Sequence, residues 1–133
     1  MELHLKIVGS ILLLLSVIHL GFPKYFKWKE EMPRLSLINR QLMYVHTSFI
    51  ALIMLLLGLL CLFNSQEIAN TNLGKNIALG LSIFGAIRLA YQFFVYSPSL
   101  WKGKVFETCI HILFSVLWAY FTMVFFWVWK NNT

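Results

Sequence analysis

Charge is what this sequence has least of. Of its 133 residues only 12% are Asp, Glu, Lys or Arg, while 59% are apolar. Soluble domains carry about 25% charged residues, so a mainly water-facing surface is excluded, and the mean hydropathy of +0.74 points to lipid as the main solvent. The length suits one domain, with no room for a soluble catalytic module beside a membrane part. Cysteine is nearly absent. Cys61 and Cys109 fall near opposite ends of the expected bundle, and a disulfide needs Cα atoms within about 7 Å, so both are read as small packing residues.

Further absences narrow the reading. No small-x-small cleavage site follows the first apolar run, which exits into the bulky His19-Leu-Gly-Phe-Pro-Lys, so a cleaved signal peptide is set aside. No HExxH or comparable motif is present. Only one acidic residue, Glu107, lies within an apolar run, so the membrane midplane has no carboxylate. The net charge of +6 comes mostly from short basic segments beside apolar runs, where Lys and Arg set topology and meet anionic headgroups. Nucleic acid is therefore not expected as a partner.

What the chain does have is four apolar runs, at residues 7–22, 42–63, 77–96 and 105–129. A spanning helix needs about 20 apolar residues. The first run is the shortest, and Leu5 with a snorkelling Lys6 extends it. The expected fold is an all-α membrane protein, a four-transmembrane-helix antiparallel bundle forming a single domain over residues 1–133, with helices at about 5–22, 34–64, 75–96 and 104–130. Pro33 fits the first turn of the second helix. Residues 64–76 read as an ordinary polar turn. Tyr25, Phe26 and Trp28 alternate with Lys24, Lys27 and Lys29, the pattern of a headgroup-level segment. A similar Pro then Trp-Lys pattern recurs at Pro98 and Trp101-Lys102 and is read as the same interfacial need.

Topology follows from the basic residues. Residues 23–41 and 97–104 together hold seven Lys/Arg, whereas the opposite side holds three, Lys6, Lys75 and Lys130. The positive-inside rule places the seven in the cytoplasm and both termini outside, in a multi-pass protein of the bacterial inner membrane.

Polar residues gather near that cytoplasmic end. At 1.5 Å rise per residue, Glu107 lies about 3 Å inside its run, His19 about 4 to 5 Å, His46 and Gln92 about 6 Å, His111 about 9 Å and Arg88 about 12 Å. Arg88 and Gln92 are spaced i,i+4, as are Glu107 and His111, and Thr108, Ser115 and Thr122 extend the second stripe. Asn39 and His46 share a face two turns apart. A lone Arg at this depth costs roughly 2.5 to 3.5 kcal/mol on insertion scales, and its expected partner is Glu107 or, failing that, another acceptor in the same layer.

Three functions fit these residue types. In the first, His19, His46 and His111 with Glu107 hold zinc or iron, and Glu107 and Arg88 serve catalysis on a membrane-soluble substrate. In the second, His46 and His111 ligate a b-type haem whose propionates meet Arg40 or Arg88. In the third there is no cofactor, and the basic layer, with Gln92 and Asn39 among its polar groups, binds an anionic lipid headgroup or small anion in a scaffold or small transporter. Small four-helix exporters resemble the chain in size, but the missing midplane carboxylate departs from their pattern. The bilayer and its anionic headgroups are the expected partners, and self-association into a homo-oligomer is left open.

Overall fold

The computed structural model describes residues 2–25, 27–94, 103 and 105–132. Among these there is no strand, and six α-helices follow in order: α1 (Glu2–Tyr25), α2 (Trp28–Glu31), α3 (Leu37–Phe63), α4 (Ser65–Asn70), α5 (Asn72–Phe94) and α6 (Val105–Asn131). A 3-10 turn, Met32–Arg34, links α2 to α3. The spans built on α1, α3, α5 and α6 are each long and apolar enough to cross a membrane, with mean hydropathies of 2.1, 2.4, 1.5 and 2.0 over their apolar stretches. The value for α5 is lowest because Arg88 and Gln92 lie on it. Phe26, Pro98, Trp101, Lys102 and Lys104 lie outside the described residues.

The connections differ from the sequence expectation in two places. Pro33 sits in the 3-10 turn rather than opening α3. The helix starts instead after Ser36, whose extended backbone and Oγ cap it by accepting from the Asn39 backbone N–H at 3.4 Å. The segment read as a polar turn, residues 64–76, is almost entirely helical. Helix is broken at Asn64, which caps α3, and at Thr71, whose Oγ1 donates to Glu67 O at 2.7 Å and accepts from Gly74 N at 3.0 Å, ending α4 and starting α5 with one side chain.

The chain divides into two compact units, one from Leu3 to Ser65 and the other from Gln66 onward. The first is a hairpin of α1 and α3. Ser16 Oγ donates to Ala51 O at 2.6 Å. A Cβ on Gly9 would stand 2.7 Å from Gly58 O, and one on Gly58 would stand 2.9 Å from Gly9 O. Position rises on α1 as it falls on α3, so the two helices are antiparallel, and the missing Cβ atoms let their backbones touch. The buried residues of α1 (Leu5, Val8, Gly9, Leu12, Leu15, Ser16) and of α3 (Ala51, Met54, Gly58, Cys61) recur at helical spacing. At the other end Lys27 takes a left-handed φ of 55°, which turns the chain after α1. Trp28 is then buried edge-on against Tyr44, ring centroids 5.3 Å apart.

The second unit packs α5 against α6, again antiparallel. Ser82 Oγ donates to Thr122 O at 3.2 Å, and a Cβ on Gly85 would meet Thr122 Oγ1 at 2.7 Å. The buried face of α5 is made of small residues until it ends in Gln92 (Gly74, Ala78, Ser82, Gly85, Gln92), while that of α6 is bulkier (Trp118, Phe121, Val124, Phe125, Val128). Large residues fitting over small ones give close packing without strain. The unit is closed at one end by Asn132, whose Nδ2 donates to Ile68 O and Thr71 O, both at 2.8 Å.

A candidate polar site in the second hairpin

The buried stripe of α5 ends in Gln92, which is only 5% exposed. A buried primary amide needs partners for both its ends, since each unpaired group costs about 1–3 kcal/mol. Both ends are met. Arg88, one turn earlier, donates from an Nη to Gln92 Oε1 at 3.2 Å. Gln92 Nε2 stands 2.8 Å from His111 Nδ1 across the hairpin.

The chemistry of the first contact dictates the second. A guanidinium has donors and no acceptor, so the Gln92 atom facing Arg88 is the carbonyl oxygen. The amide nitrogen then faces His111 and donates, and Nδ1 accepts. Neutral His111 therefore carries its hydrogen on Nε2. Three side chains from two helices thus form one directed chain of hydrogen bonds, starting at a fixed cation and ending at an imidazole N–H.

Aromatic rings surround this chain. Arg88 Cζ lies over the Trp118 ring, 5.4 Å from its centroid, a cation–π contact. Phe84 and Phe121 meet the same indole edge-on, with centroids at 6.2 and 5.4 Å. Phe93 meets His111 edge-on at 5.9 Å. Trp118 is 4% exposed, and its Nε1–H is buried with no acceptor among the described residues. The sequence reading followed the polar stripe of α6 through His111, Ser115 and Thr122 and passed over Trp118. Its spacing of seven from His111 places it on that same face.

The other expected residues fall elsewhere. Glu107 is exposed in the first turn of α6, where its charge complements the positive end of the helix, and Gln92 is one acceptor of Arg88. His19 continues the buried stripe of α1. It is half-buried, its Nδ1 is 2.8 Å from Leu15 O, and its ring rests on Phe22 with centroids 4.6 Å apart. With Nδ1–H donating to that carbonyl, the lone pair of His19 is on Nε2. Pro23, four residues further on, has no N–H to offer the His19 carbonyl. His46 and Asn39 are exposed, because the buried stripe of α3 runs through Ala51, Met54, Gly58 and Cys61 and both residues lie off it. Arg40 is half-buried in the first turn of α3. Within either hairpin, among the described residues, no three His, Cys or carboxylate side chains gather closely enough to hold a metal ion.

No family model, curated protein or solved structure matches the chain.

Proposed function

We propose that this is a multi-pass protein of the bacterial inner membrane, an antiparallel four-helix bundle with both termini outside. In this reading it binds an oxyanion, a lipid headgroup or a small free anion, near the cytoplasmic end of α5 and α6, and acts as a scaffold or small transporter. The observation that carries the reading is the Arg88–Gln92–His111 chain. It sets a guanidinium against a neutral amide, a partner that orients the cation without cancelling its charge. A guanidinium offers several donors in a planar fork, a geometry that suits an oxyanion ligand.

The same chain weakens the two cofactor readings. For a metal ion or haem iron to be ligated through His111 Nε2, that nitrogen must lose its hydrogen to Nδ1, and Gln92 would have to turn its amide to accept from it, placing its NH₂ against the Arg88 guanidinium. His19, with its lone pair on Nε2, keeps the geometry of a metal ligand, but His46 and Asn39 on α3 are exposed.

Protein purified gently from membranes tests this. Native mass spectrometry should find a retained phospholipid or phosphate-class adduct, at about tenfold lower occupancy in Arg88→Gln, as expected when a hydrogen bond to a charged group is lost. A Soret band, stoichiometric zinc or iron, or unchanged adducts in Arg88→Gln would each overturn it.

A further inference from the structure

Two observations near Arg88 have independent origins. Its charge is held over the Trp118 ring, and that ring's N–H is buried without an acceptor. A buried indole N–H normally finds a partner. Leaving one unpaired costs about 1–3 kcal/mol. The cost is ordinarily avoidable here, because the neighbouring Phe84 and Phe121 offer only rings, and phenylalanine in place of Trp118 would fill similar space with no donor to satisfy. The tryptophan brings a donor that the hairpin itself does not use.

We infer that Trp118 is a second ligand-binding donor, and that the ligand is a membrane-borne acidic lipid rather than a soluble anion. The inference rests on the oxyanion reading and deepens it. One headgroup oxygen accepts from Arg88, and another accepts from Trp118 Nε1–H, with the guanidinium sliding off the ring face as the lipid enters. Depth selects the lipid. Trp118 lies about 20 Å along α6 from its start at Val105, by the helical rise. A phosphate reaching that level sheds its water whether it is free or carried on a lipid, which is costly for a charged group, and only the lipid has a chain whose place in the bilayer offsets that cost. A lipid comes with its acyl chain already in the bilayer, and the exposed faces beside the site, Phe84, Ile87, Ile112 and Val116, are apolar surface for that chain to lie on.

The test compares two probes with one headgroup chemistry, dodecyl phosphate and inorganic phosphate, on full-length ¹⁵N-labelled protein in a non-ionic detergent. The chain has five tryptophans. Variants W28F, W101F, W127F and W129F each remove one of the other indole resonances and so assign Trp118 without altering it. Dodecyl phosphate should move the Trp118 indole resonance downfield, as expected for a new hydrogen bond to an anion. Inorganic phosphate at about a hundredfold higher concentration should leave it in place, since an anion without a chain stays hydrated. W118F should bind dodecyl phosphate about tenfold more weakly, the loss of one charge-assisted hydrogen bond. If dodecyl phosphate binds in an Arg88-dependent way while the Trp118 resonance stays still, this inference fails and the oxyanion reading stands. If inorganic phosphate moves the resonance equally, the lipid assignment fails. If dodecyl phosphate binds neither protein, or binds wild type and Arg88→Gln equally, both fail together.

Discussion

Gln92 Nε2 meets His111 Nδ1 at 2.8 Å, and the direction of that hydrogen bond is set by a third residue, Arg88, on the opposite end of the amide. The relationship makes Gln92 the structural centre of the site. Replacing it with leucine keeps the volume but leaves a guanidinium and a ring nitrogen without their partner. Gln92→Leu should destabilise the folded protein by about 1–3 kcal/mol, the cost of unsatisfied buried groups. Gln92→Glu should be far milder, because a carboxylate still accepts from Arg88 and accepts in turn from a His111 that has moved its hydrogen to Nδ1. Thermal unfolding of the three proteins in the same detergent checks the order. Equal stability of Gln92→Leu and wild type would show that the chain is incidental.

The first hairpin depends on two backbones touching. A Cβ on Gly58 would lie 2.9 Å from Gly9 O and 3.0 Å from the Leu13 side chain, and one on Gly9 would lie 2.7 Å from Gly58 O. Since the neighbour is main chain, it cannot simply swing away. Gly9→Ala and Gly58→Ala should each lower stability by about 1–3 kcal/mol through overpacking. Gly80, which has nothing within 4 Å, is the internal control. Gly80→Ala should be neutral or mildly stabilising, as in any open helical position. The contrast is read from unfolding midpoints, and a Gly58→Ala protein as stable as Gly80→Ala would contradict the close approach.

How far the sequence revealed these features depends on the range of the forces involved. The four long helices were legible because lipid selects for about 20 apolar residues in a row, and no rearrangement of partners changes that. Arg88, Gln92 and His111 were legible as candidates for the same reason, being costly at that depth. Their pairing was legible only in part: an acceptor in the same layer was the second choice for Arg88, and Gln92 is such an acceptor. Glu107 was the expected partner of Arg88 because opposite charges attract, but an i,i+4 amide on the same helix needs no tertiary arrangement to reach it. The helical α4 was hidden by its polar composition, Ser-Gln-Glu-Ile-Ala-Asn, which reads as a turn when taken without Ile68, Ala69 and the cap at Thr71. His46 misled because depth along a helix is readable from one sequence, whereas rotation about its axis depends on which stripe packs. That stripe, Ala51, Met54, Gly58 and Cys61, is hard to pick out where nearly every residue is apolar.

Asn132 near the C-terminus is only 1% exposed, and its amide nitrogen bridges Ile68 O and Thr71 O. These are the carbonyls freed where α4 stops, so one side chain from the end of α6 closes the α4–α5 reversal. Asn132→Ala should cost about 1–3 kcal/mol for the two orphaned acceptors. It should also raise amide hydrogen exchange across Ile68 to Lys75 more than in α3, since the loss is local. Uniform exchange throughout the protein would instead mean that Asn132 does not act as a clamp.

The orientation in the membrane rests on the split of seven Lys/Arg against three between the two sides. It is testable at one end of the second hairpin. Asn132 ties the end of α6 to the α4–α5 junction, so Asn72 and Asn131, both exposed, lie at the same end of that unit and must face the same compartment. Cys61 and Cys109 are first replaced by alanine, because Cys109 is exposed and would react by itself. Single cysteines at Asn72, Asn131 and, on the basic side, Lys29 are then treated in intact cells with a maleimide that cannot cross the membrane. N72C and N131C should be labelled, and K29C should react only after the cells are opened. Labelling of K29C alone would invert the orientation and move the Arg88 site to the outer leaflet, where anionic lipid is scarcer. Labelling that splits N72C from N131C would mean that one of α5 and α6 does not cross the membrane, and the four-span topology would fall with it.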